Sequence, residues 1–121
     1  MADPKLTGSP VITADKVEGT AVYDRRGNRI GNIEDLVLDK INGKVLYAVM
    51  SFGGFLGIGE KHHPLPWSAL TYDTKLEGYV VDVDKERLEK APSYESDRQV
   101  DWTADFGRRI NTYWNVPSEW P

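Results

Sequence analysis

The sequence predicts an all-β fold, one curled sheet, and three observations carry that prediction. Between Val17 and Val83 short β-type runs alternate with glycine-bearing turns. No helix-length periodic segment interrupts them. An Asn42-Gly43 pair sits between two apolar runs, the sharpest local sign of a hairpin in the chain.

The elements follow in order. Residues 1–15, with Pro4, Gly8 and Pro10 among small polar residues, read as a flexible N-terminal segment. Val17–Asp24 reads as the first strand. Arg25-Arg26-Gly27-Asn28 supplies a turn in which Gly27 and Asn28 suit positive φ best. Arg29–Asp39 is a long second strand. Its alternation breaks at Gly31 and at Glu34-Asp35, which predicts a bulge or a strong twist. Asn42-Gly43 predicts a two-residue type I′ turn with both residues at φ > 0.

The third strand, Lys44–Phe52, sets Val45, Tyr47 and Val49 on one face and Leu46, Ala48, Met50 and Phe52 on the other. A strand apolar on both faces is covered on both, so this one forms the heart of the core. Tyr47, Val49 and Trp67 are assigned to that core. After a glycine-dense loop, His62–Pro66 is extended, with Pro64 and Pro66 confining it to a sheet edge. Trp67–Leu70 makes one helical turn, and Thr71–Thr74 with Gly78–Val83 a closing hairpin. Asp84 caps a short helix that stops at Pro92. Beyond it, Trp102, Phe106, Ile110 and Tyr113 recur at helical spacing within Val100–Trp114, with Gly107 and Thr112 weakening the helix.

Composition narrows the class. A chain of 121 residues suits one domain and buries roughly two-thirds of its extended surface, enough for one core. No apolar run approaches the roughly 20 residues of a membrane helix. The start, M-A-D-P-K-L-T-G-S-P, lacks the apolar centre of a secretory signal, so a cytoplasmic protein is expected. With no cysteine, disulfides, thiolate metal ligands and thiol catalysis are excluded. The net charge of −4 shows no basic stripe beyond Arg25, Arg26 and Arg29, which makes nucleic acid an unlikely partner.

The order of parts resembles the PRC-barrel family, a small β-barrel found in the cytoplasmic domain of photosynthetic reaction centre H subunits and in the C-terminal domain of a ribosome maturation factor. The matching elements are V-Y-D-R-R-G-N-R-I-G-N-I-E-D-L-V-L-D, N-G-K-V-L-Y-A-V-M-S-F-G-G-F-L-G-I-G-E-K and P-L-P-W-S-A-L, spanning Lys16 to Pro92. The resemblance implies a partially open barrel and a tendency toward protein–protein contact, with no shared catalytic residues. The N-terminal membrane helix of the H subunit and the N-terminal domain of the maturation factor have no counterpart here, so a stand-alone barrel over residues 16–92 is expected. The resemblance does not cover the C-terminal extension, residues 93–121.

Candidate chemistry is sparse. The G-G-F-L-G-I-G-E-K loop leads into a proline-bearing strand, not a helix N-terminus, and fits neither nucleotide fingerprint. Its Phe55, Leu56 and Ile58 form a candidate contact patch. His62 and His63, adjacent on a strand, point to opposite faces and cannot readily chelate one ion. The acid pairs (Glu34-Asp35, Asp82 with Asp84, Glu86 with Glu89) have no spacing that demands a shared cleft. The tail gathers Trp102, Phe106, Tyr113, Trp114 and Trp120, residue types that dominate interface energetics; these either pack on their own barrel or dock on a second copy or another protein. The sequence therefore predicts a non-catalytic interaction or assembly module without cofactor or metal, forming a homodimer, its protein partner unidentified. An RNA- or ribosome-associated factor is one alternative. A small metal-binding protein or enzyme using His62 and His63 is another.

Overall fold

A computed structural model describes residues 10–52, 60–95 and 100–121. The chain forms α1 (Ala14–Val17), β1 (Ala21–Tyr23), β2 (Arg29–Leu38), β3 (Val45–Phe52), β4 (Lys61–Pro66), a 3₁₀ turn (Trp67–Ala69), β5 (Leu70–Asp73), β6 (Gly78–Val81), α2 (Lys85–Glu89), β7 (Tyr94–Glu95) and α3 (Ala104–Trp114). The strands make one sheet in the order β5-β6-β1-β2-β3-β4-β7, antiparallel throughout except for the parallel pair β1–β6. It is an open sheet with β5 and β7 at its edges, so the all-β, partially open architecture is as the sequence predicts.

Turn chemistry sets the register. Asp24 holds the β1–β2 turn by accepting from the backbone N–H groups of Arg26 and Asn28, both at 2.9 Å. These bonds, that from the Asn28 amide foremost, pull its carboxyl below the usual range. Gly27 alone takes positive φ there, at 86°, and Asn28 does not. The bulge falls where β2 breaks its alternation: the register against β3 shifts between Ile33 and Asp35, leaving Glu34 without an opposite number. Gly31 is explained by proximity. A Cβ there would lie 2.1 Å from the Ser51 carbonyl oxygen.

Three expectations are corrected. The first strand does not begin at Val17. Residues 14–17 coil instead, and Gly19 at φ 88° turns the chain so that its N–H reaches the Ile33 carbonyl at 2.6 Å before β1 starts at Ala21. The β2–β3 connection is not a two-residue turn. Asp39 N–H donates to Lys44 O at 2.8 Å, enclosing four residues, because the Asp39 carboxylate accepts from Ile41 N–H at 2.8 Å and only Gly43 has positive φ. Trp67 is half-buried against the core, not inside it.

The core centres on β3, where residues 46–51 are all buried. On one face Tyr47 and Val49 lie beside Pro66 and Pro64 of β4, and α3 packs on that strand. On the other, Ala48 and Met50 lie beside Leu65 and His63. Val22, Ile33, Val81 and Leu88 join the same apolar cluster. Among the described residues the proline-bearing half of β4 has β3 on one side and no strand on the other, since β7 pairs there only with Lys61 and His62. Asp84 caps α2 by accepting from Arg87 N–H at 2.7 Å, as expected, and seats Leu88 fully buried.

Candidate protein-interaction surface

The C-terminal helix is built by its caps. The Thr103 hydroxyl accepts from Phe106 N–H at 3.1 Å, and Asn115 ends α3 in the left-handed region at φ 56°. Trp102 therefore precedes the helix, and the expected stripe of Trp102, Phe106, Ile110 and Tyr113 is corrected. The buried face is Gly107, Ile110, Asn111 and Trp114, spaced three, one and three. Gly107 does not break the helix because its missing side chain is what the packing needs. A Cβ there would meet the Trp120 ring at 2.6 Å and the Tyr47 hydroxyl oxygen at 2.9 Å.

A polar link anchors this face. The buried Tyr47 hydroxyl donates to Asn111 Oδ1 at 2.7 Å, and Asn111 Nδ2 donates to the Pro117 carbonyl at 3.0 Å. The chain after Asn115 thus folds back across α3 and lays Trp120 beside Gly107. Burial raises the Tyr47 pKa, which keeps its proton available for that bond. A second link joins α2 to α3. The Arg87 guanidinium donates to Tyr113 O at 2.9 Å, the Tyr113 hydroxyl donates to Arg87 O at 2.5 Å, and Arg87 lies 5.2 Å from the Trp114 ring centroid.

Trp102, Phe106, Tyr113 and Trp114 fall into two groups. Trp102 stacks on Tyr47 with ring centroids 6.1 Å apart and 18° between planes, and touches Phe106 at 5.5 Å. Tyr94 of β7 meets Trp102 edge-on at 6.1 Å and His62 at 5.4 Å, closing a cluster of five rings. Tyr113 and Trp114 form the other group, 5.4 Å apart. Trp114 is buried, while Trp102, Phe106, Tyr113 and Trp120 pack on the core and stay partly exposed. Phe55, Leu56 and Ile58 lie outside the described residues.

With that geometry the sequence can be placed. The PRC-barrel domain family matches residues 9–88. The chain belongs to the PRC-barrel family. The PRC match ends before β7 and α3, so the helix that covers β4 and three of the five clustered rings, Tyr94, Trp102 and Phe106, lie beyond it. No curated protein matches the chain. Among solved structures, one similar chain is described as the 16S ribosomal RNA processing protein RimM of Pseudomonas aeruginosa, with 20% identity, a TM-score of 0.41 and coverage of 66% of this chain. This chain spans 48% of the length of that protein.

The histidines of this PRC barrel separate as strand geometry requires. His62 is half-buried, 3.8 Å from the Glu60 carboxylate. His63 is 1% exposed, edge-on to Phe52 at 5.7 Å, and its Nδ1 has no hydrogen-bond partner among the described residues. Burial first, then Lys61 and His62, push its pKa down to about 4. Among the described residues no group of three or more His, Asp or Glu side chains could hold a metal ion, and no helix is long and apolar enough to cross a membrane. Sequence reasoning missed Tyr94, His62 and Arg87 as partners of the tail aromatics, and Asn111 as its anchor. Asn111 was findable: it is a polar residue on the apolar stripe of α3, where a buried amide needs a partner.

Proposed function

We propose that this PRC barrel is a non-catalytic protein–protein interaction or assembly module of the cytoplasm, and that it self-associates. The observation that carries this reading is the arrangement around α3. Trp102, Phe106, Tyr113 and Trp120 are held by packing against the core, yet each residue stays partly exposed. Rings already fixed lose little entropy when a partner covers them, and Trp and Tyr are the usual anchors of interfaces.

Light scattering on the full chain across a wide concentration range tests the reading. A dimer mass that falls to the monomer in a Trp102→Ser, Phe106→Ser variant with an unchanged far-ultraviolet spectrum is expected. A monomer at the highest concentration removes self-association. Tight retention of structured RNA at low salt would favour the ribosome-associated alternative.

A further inference from the structure

Between the end of α2 and the outer side of α3 lies an open groove of about 600 Å³, lined by Lys90, Pro92, Ser93, Arg108, Arg109 and Tyr113 among others. The chain carries 19 acidic and 15 basic residues, yet among the described residues the lining of this groove holds three cations and no carboxylate. We propose that the groove binds an acidic peptide segment of a protein partner, one that interleaves carboxylates with an apolar side chain. The proposal rests on the interaction-module reading above and gives it a partner chemistry.

Among the described residues the cations are engaged only by neighbours on their own helices. Lys90 is engaged by Glu86 at 3.2 Å and Arg108 by Asp105 at 2.9 Å, but in both pairs each side chain is more than two-thirds exposed. Exposed pairs of this kind contribute little, because water and salt screen them, so a partner's carboxylates can replace them at little cost. Arg109 rests over the Phe106 ring at 5.8 Å, which leaves the outer edge of its guanidinium for a carboxylate. Arg108 and Arg109 are neighbours on a capped helix, so both forks are presented from rigid backbone. The Tyr113 ring is pinned by its hydroxyl bond to Arg87 O. Together with Pro92 and Ala91 it gives the groove an apolar wall, which suits a peptide side chain better than a bare phosphate.

The experiment uses the full chain and fluorescence anisotropy of a labelled peptide alternating Glu with Leu. Saturable, salt-weakened binding is expected, reduced at least about tenfold by Arg108→Glu with Arg109→Glu and unchanged by Arg25→Glu with Arg26→Glu on the β1–β2 turn. Four results overturn the proposal: no saturable binding, equal binding of a Gln-for-Glu peptide, equal loss in the Arg25 and Arg26 variant, or tighter binding of inorganic phosphate or a single-stranded oligonucleotide. Light scattering on the same samples separates the two readings. Self-association without peptide binding removes the groove and leaves the interaction module standing. A monomer that still binds the peptide does the reverse for the dimer.

Discussion

Replacing Gly107 with alanine sets two effects against each other. In the middle of a helix the change ordinarily stabilises by about 1 kcal/mol, because glycine has the poorest helix propensity after proline. Here the new methyl would stand 2.6 Å from Trp120 Cε3 and 2.9 Å from the Tyr47 hydroxyl oxygen, both closer than real contacts allow. Trp120 must swing out, giving up about 1 kcal/mol of ring burial. Tyr47 must shift as well, straining its 2.7 Å bond to Asn111. Leaving that buried pair poorly made costs about 1–2 kcal/mol. The net expectation is a loss of about 1–2 kcal/mol. Urea unfolding measures the loss, and a red shift of tryptophan emission reports the release of Trp120. In a Trp120→Ala background the alanine should cost less, since one of its two clashes has gone. A Gly107→Ala protein more stable than the parent, with unchanged emission, would refute this account of the packing.

Three further outcomes are expected. Tyr47→Phe leaves the buried Asn111 Oδ1 without its donor and should lower stability by about 1–3 kcal/mol in urea unfolding, with little change in the far-ultraviolet spectrum. Gly31→Ala puts a methyl 2.1 Å from the Ser51 carbonyl, a backbone atom that cannot turn aside, and should lower the thermal midpoint more than alanine at Gly19, Gly27 or Gly43, which meets no atom within 4 Å and costs only the strain of a positive φ. His63 predicts a pH dependence. Its folded pKa of about 4 lies below the ordinary 6.5, so between these values the unfolded chain binds the proton and the folded one does not. Its contribution is complete above pH 6.5 and is lost as pH falls toward 4, by at most about 3 kcal/mol. Unfolding curves across that window should show a slope that His63→Leu removes; equal slopes in the two proteins would show that His63 is not the titrating group.

Much of the fold was legible because local chemistry and tertiary packing agree there. Asp84 caps its helix, Glu34 marks the bulge, and β3, apolar on alternate and intervening positions alike, is buried on both faces. The failures come where a side chain or a distant segment overrides local preference. The Asp39 carboxylate captures the amides of Ile41 and Asn42 and so widens a turn that Asn-Gly alone would keep tight. Gly107 reads as a helix breaker until Trp120, thirteen positions on, is seen to occupy the space a side chain would take. The tail aromatics were recognisable as a group from residue type. Their partners were not, because Tyr47, His62, Tyr94 and Arg87 reach them through the fold and no spacing in the sequence encodes that approach.

The parallel pair of β1 and β6 has a consequence for how the chain is made. Val22 lies beside Tyr79, so β1 leaves the ribosome long before its second neighbour exists. Until then the early hairpins β1–β2 and β2–β3 can assemble, but one flank of the three-residue β1 stays unpaired and available to strange strands. Synthesis must pass β6 before the flank is filled, and must pass Asn111 before Tyr47 meets its hydrogen-bond acceptor. Such distant pairings slow folding relative to a chain of local contacts, and they concentrate the hazard of misassembly in the half-made protein.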